Sequence, residues 1–388
     1  MWNIACVMKI VGKIFIFLII FFIVMSCSMP NNRYELLNMR TSDSLLFMET
    51  PDTLPDGIID SVYWIPLQDS GQKVLYEISK LCVTDSFIIV GNRYQGVLQV
   101  YSSDGRFLYD ISRKGQGPEE YLEIAAFTAT STSIYILDNY SHEMSRYSID
   151  EGRFIEKTKV PFVAWDMEAF NDDDFLFTCL RNNPEAQMSM ASVDYAVWRT
   201  DGKWQINKKY LPVEKEYTEI YGKTRYFTRH GEDIIFHCLK YDGFFIFPSD
   251  GEPVFHPIEF SDSLPRNKSL RLKDVNAGQW QFLAETPFVV DGYSVMEISV
   301  AGEGAQMFAV DACNEVFGNS ETCAKNLPVN IIGVMDNCFI GYINDNYMLY
   351  KELVNYGFQE GNSEVEDMLR NGGCCLIVYQ MADSNIVK

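Results

Sequence analysis

An all-β fold, a six-bladed β-propeller of four-stranded antiparallel blades, is what this sequence predicts, on three observations. A phrase of one aromatic residue, two intervening residues, Asp and usually Gly recurs as YSSDGRF from Tyr101, YSIDEGRF from Tyr147, WRTDGKW from Trp198 and FPSDGEP from Phe247. A weaker copy, FAVDACNEV, starts at Phe308. From Asp104 to Asp150, Asp201 and Asp250 the steps are 46, 51 and 49 residues, the length of one propeller blade rather than of a helical solenoid unit. Aromatics make up 14% of the chain, and no long stretch before residue 262 carries a helical period.

The elements follow in order. Lys9 and Lys13 precede the apolar run Ile14 to Met25, with Ser26-Cys27 after it. As a helix the run would rise about 18 Å, short of the ~30 Å hydrocarbon core, so residues 1–26 read as a signal peptide. The small residue before Cys27 resembles a bacterial lipobox, which makes Cys27 the expected site of lipid attachment. Residues 27–54 read as a tether, and 55–382 as the propeller.

Within each blade, strands run from the central channel outward, with the last two joined by the Asp-Gly turn. Gly takes positive φ there without steric cost, and Asp tolerates such geometry. Blade one is expected within Glu77 to Ile111, blade two within Ile124 to Val160, blade three within Val163 to Lys208 and blade four within Tyr226 to Phe260. A polar insertion at about 262–278 precedes blade five, Pro287 to Phe317. Blade six starts at Asn330, is interrupted by a helical insertion at about 344–372, and resumes with Cys374 to Gln380. Only three strands remain for it. Ile58 to Leu67, IIDSVYWIPL, is the expected fourth, closing the ring on the C-terminal strand and leaving no exposed edge there.

The net charge is −21, and removal of residues 1–26 leaves 30 basic against 53 acidic residues, a net of −23. Nucleic acid is thereby disfavoured as a partner, and so is adhesion to anionic lipid. Membrane residence is expected through the lipid anchor only. Eight cysteines besides Cys6 and Cys27 form no C-x-x-C and read mostly as buried small hydrophobes; Cys313 and Cys323 are the one pair worth testing for a disulfide. Four histidines make a zinc centre improbable, and no G-x-S-x-G element supports a nucleophilic triad.

The segment 90–121, VGNRYQGVLQVYSSDGRFLYDISRKGQGPEEY, resembles an NHL repeat with its connection to the next blade. With IIDSVYWIPLQ before it and CCLIVYQM at the end, the chain is similar to the six-bladed β-propeller lipoproteins of Bacteroidetes over about residues 55–382. Gly91 departs from the NHL pattern, which has Asp there, and blades three to five have lost most of the consensus. The resemblance implies a fold and a location in the bacterial cell envelope, outer membrane included, and no established reaction.

In such a ring the loops between second and third strands share one face with the blade-to-blade connections. Asn92, Arg93, Tyr94, Tyr140 and His142 would therefore meet Arg113, Lys114, Gln116 and Glu119 at one rim. Aromatic faces and guanidinium forks suit polar ligands, so a glycan, a peptide or an envelope protein is the expected partner of a monomer. GQGPEEY also suits a stiff inter-blade turn with Tyr121 packed between blades. Asn171-Asp172-Asp173-Asp174 reads as a polar turn. No cofactor is expected, although calcium stays open, with Glu77, Glu123 and Asp166 as the carboxylates of the innermost strands. A binding module is favoured over the alternative, a channel-mouth hydrolase or lyase.

Overall fold

In the computed structural model the described residues are 39–48, 59–69, 77–180, 195–213, 219, 223, 225–264, 278–311, 313–317, 331–355 and 357–382. The expected signal peptide, Cys27, Cys323 and most of the 262–278 insertion lie outside them. The chain divides into residues 1–40 and 41–388, and everything below concerns the second unit.

Six sheets with antiparallel blade strands make up the described residues, and in blades one to four the four blade strands pair in chain order. Blade one comprises Lys80–Val83, Phe87–Asn92, Val97–Ser102 and Phe107–Ile111. Blade two comprises Ala126–Ala129, Ser133–Asp138, Glu143–Ser148 and Phe154–Lys159. Asp166–Asn171, Asp174–Thr178, Tyr195–Asp201 and Ile206–Pro212 make blade three; Phe227–His230, Asp233–Phe236, Gly243–Phe247 and Val254–Glu259 make blade four. Each innermost strand contacts that of the next blade, from Lys80–Val83 round to Ile331–Met335 and back.

Blade five departs from the expected pattern. Two short segments, Phe282–Leu283 and Phe288–Val290, both pair with Tyr293–Val300, which pairs with Gly304–Val310 and that with Val316–Phe317. Pro287 supplies no N–H to a ladder, and the inner edge is split just before it.

Blade six runs Ile331–Met335, Cys338–Asn344, Cys374–Met381 and then Ile59–Leu67. Tyr63 faces Val378 and Leu67 faces Cys374 across that antiparallel pairing. The insertion holds two helices, α1 (Tyr347–Asn355) and α2 (Ser363–Arg370). Asn362 caps α2, its Oδ1 accepting from the Val365 N–H at 3.1 Å. Tyr350, Leu353, Val365 and Leu369 bury the helices against the blade.

Within the stretch read as a tether, Leu45–Leu46 pairs in parallel with the outer strand of blade four, Leu45 opposite Ile258. Leu45 and Phe47 are buried with Phe260, Phe308 and Val316, because two apolar residues there cover the seam between blades four and five. Among the described residues no helix is long and apolar enough to cross a membrane.

Candidate functional site

The innermost strands place charged side chains in the channel, and most of these neutralise one another. Lys80 Nζ reaches across from blade one to Asp166 Oδ1 at 3.0 Å, Glu168 Oε1 at 2.8 Å and the Met167 carbonyl at 2.7 Å. Thr128 of blade two donates to Glu168 Oε2 at 2.9 Å, and Arg229 Nε of blade four approaches the same oxygen at 3.3 Å. Asp166 Oδ2 accepts the backbone N–H groups of Tyr226 and Phe227 at 2.9 and 3.1 Å. One network therefore ties blades one to four.

Burial by itself would raise the Asp166 carboxyl, but the charges of Lys80 and Arg93 and the hydrogen bonds from the Tyr226 N–H and Lys80 hold it below the usual carboxylate range. Burial opposes the charge on Lys80 as well, and Asp166 and Glu168 outweigh it, so its ammonium is held above the usual value. Cys82, beside them, is pushed up to about 12, by burial first and then by Glu168, and stays a neutral thiol.

A cavity of about 510 Å³ opens beside this network. Its charged lining is Glu77, Glu123, Glu168, Lys80, Arg93, Lys223, Arg225 and Arg229, and Tyr94 and Trp165 add aromatic surface. That volume falls within the range of small-ligand pockets.

Of the rim residues read from the sequence, Arg93 and Tyr94 line the cavity, and Tyr94 is 81% exposed. Asn92 is buried and shapes the loop: its Nδ2 donates to the Glu77 carbonyl at 3.0 Å and its Oδ1 accepts from the Gln95 N–H at 2.9 Å. Arg113 pairs with Glu119 and lies 5.6 Å from the centre of the Tyr147 ring. The backbone beside Lys114 pairs with that of Tyr121, the Tyr121 N–H donating to the Arg113 carbonyl at 3.0 Å and the Gly115 N–H to the Tyr121 carbonyl at 2.9 Å, and the Lys114, Gln116 and Glu119 side chains are exposed. This connector is built for packing. The Tyr121 hydroxyl lies 2.9 and 3.0 Å from the Gly96 and Ile111 carbonyls, which share its one proton, and Glu120 Oε2 accepts from the Gly117 N–H at 2.7 Å. Tyr140 is exposed and His142 half-buried, on a loop turned by Asp138, whose Oδ1 accepts from the Tyr140 and Ser141 N–H groups. Neither lines the cavity.

Of the acidic turn, Asn171 Oδ1 accepts from the Asp173 N–H at 2.9 Å, Asp172 accepts from Thr130 at 2.6 Å and Tyr135 at 3.0 Å, and Asp174 pairs with Arg199. Glu77 and Glu123 face the cavity, whereas Asp166 is held beneath it by cations and N–H groups. Lys80, Glu168, Lys223, Arg225 and Arg229 were not singled out by motif, although WDMEAF and YFTRH carry charges inside short apolar strands, a signal of inner strands facing a channel.

The family model that matches is DUF4934, a domain of unknown function, over residues 48–249, so the chain belongs to that family. No curated protein matches it. Among solved structures, a protein of Bacteroides fragilis inferred to be exported is similar with a TM-score of 0.69 at 14% identity, covering 88% of this chain and 100% of its own; it shares the fold. A DUF4221 member from Bacteroides vulgatus scores 0.46 at 11% identity, covering 84% and 98% of the two chains. An inactive virginiamycin B lyase from Staphylococcus aureus scores 0.36 at 10%, covering 72% and 81%.

Proposed function

We propose that this member of the DUF4934 family is a lipid-anchored binding module of the cell envelope, which takes a glycan, a peptide or a loop of an envelope protein at the mouth of its channel. The observation that supports this reading is the cavity of about 510 Å³ in which the exposed Tyr94 and the Arg93 guanidinium stand beside Trp165. Rigid blades hold the loops that carry these groups, which lowers the ordering cost of binding.

The test is calorimetric titration with a panel of oligosaccharides and envelope-derived peptides. At least one should bind, and Arg93→Ala with Tyr94→Ala should weaken it about tenfold or more while the melting temperature holds, since one lost charged hydrogen bond is worth that much. A melting temperature that falls with the double change would mean the loop serves packing instead.

A further inference from the structure

The charges around the cavity are not evenly distributed, and their arrangement narrows the ligand. Five cations line it against three carboxylates, in a chain whose net charge is −21. Glu168 balances Lys80 and Arg229 from within the lining, and two further carboxylates stand behind the cations. Asp166 is 1% exposed under Lys80, and Glu285 is 4% exposed behind the backbone of Arg225, its Oε2 accepting from the Arg225 N–H at 3.4 Å. Neither belongs to the lining.

Arg229 of blade four reaches the Glu168 carboxylate, whereas Lys223 and Arg225, just before that blade, donate to carbonyl groups. Lys223 Nζ donates to the His237 carbonyl at 2.9 Å, and Arg225 Nε donates to the Thr286 carbonyl at 3.3 Å while its guanidinium lies 4.3 Å from the centre of the Phe288 ring. On the blade-one side, Arg93 Nη2 stays 3.6 Å from Asp166 Oδ1, beyond hydrogen-bond range, and its Nε is buried with no partner among the described residues. Burial depresses the affinity of both Lys223 and Arg225 for their protons, and the nearby glutamates do not make up the difference. Distant surface carboxylates are screened within about 8 Å at physiological salt, so the lining cations and the carboxylates near them, Glu219, Glu285 and Glu297 among them, set the local potential.

Resting on the binding reading above, we propose that the cavity takes a small carboxylate-bearing ligand, held between Arg93 and the Lys223–Arg225 wall, with Tyr94 and Trp165 against its body. Two sources share that chemistry, a sugar acid and a peptide C-terminus.

The experiment titrates the full folded domain with four probes: D-galacturonate and its neutral counterpart D-galactose, triglycine and its counterpart triglycinamide. At least one acid should bind about tenfold or more tightly than its counterpart, the step expected of a charge-assisted pair. Galacturonate alone would identify a sugar acid, and triglycine alone a peptide terminus. Raising sodium chloride from about 20 to about 300 mM should weaken that binding, because the attraction is ionic. Arg93→Gln should weaken the acid by a larger factor than its neutral counterpart. The salt series on the unaltered protein decides the matter even if that variant folds poorly. Neutral probes binding as well as acids would overturn the charge inference and leave the binding reading standing. Failure of both acids to bind would overturn it as well, and the binding reading would then be judged by its own ligand panel.

Discussion

Lys80 and Asp166 are the residues on which the channel's integrity turns, since each is nearly inaccessible and they pair with each other, Lys80 also with Glu168 and Asp166 also with two backbone N–H groups. Asp166→Asn removes the anion but leaves Lys80 and Arg93 in place. Breaking a buried pair on one side should cost about 3–5 kcal/mol, read by urea denaturation. Acid should act in the same direction. The folded-state value of Asp166 is depressed, so its contribution to stability is complete above the ordinary carboxylate value of about 4 and is lost as the pH falls through the depressed value. The variant should therefore lose less stability than the parent over that acid range. Tyr121→Phe tests the connector: loss of the hydroxyl whose proton two carbonyls share should cost about 1–2 kcal/mol in the melting equilibrium and leave ligand titrations unchanged. Arg93 and Tyr94 were legible because loop position is readable from strand order. Lys223 and Arg225 were not, because nothing in a connector's sequence says that it turns inward.

At the scale of elements, the recurring Asp-Gly phrase does its work through backbone geometry. Gly105 has φ +87° and a Cβ there would lie 2.2 Å from the Pro66 carbonyl, which places the blade-one turn directly on the strand Ile59–Leu67. Gly105→Ala should lower stability by more than the roughly 1–2 kcal/mol of left-handed strain, because backbone must also move. In blade three the positive φ falls on Trp204 rather than on Gly202, a difference in turn geometry that the repeat phrase does not reveal. Trp204 packs there against Tyr135 and Phe175. Gly91, the departure from the NHL pattern, has a local cause. A Cβ there would meet the Phe127 ring at 2.2 Å, so the position is given to packing between blades one and two. The split inner edge of blade five was hidden for a similar reason: Phe282–Leu283 is two residues long, too short for a period to register.

For the whole molecule, the pairing of Cys374–Met381 with Ile59–Leu67 joins residues more than 300 positions apart, and its ladder spans from Leu67 to Ile59. Deleting residues before 69 should expose the edge of the C-terminal strand and produce aggregation visible by light scattering, whereas a monomeric product with an unchanged melt would contradict that role. Cys27→Ala should release the full-length protein from membranes into the soluble fraction on fractionation, and retention would argue against acylation. The repeat spacing, the strand periodicity and the turn phrase are local properties, and they sufficed to determined a six-bladed all-β fold because each blade obeys the same short-range rules of alternation and turn chemistry. The cavity and its charge arrangement were decided only in three dimensions. Which cations face the lumen and which carboxylates stand behind them depends on contacts between blades far apart in the chain, and such contacts leave no period to read.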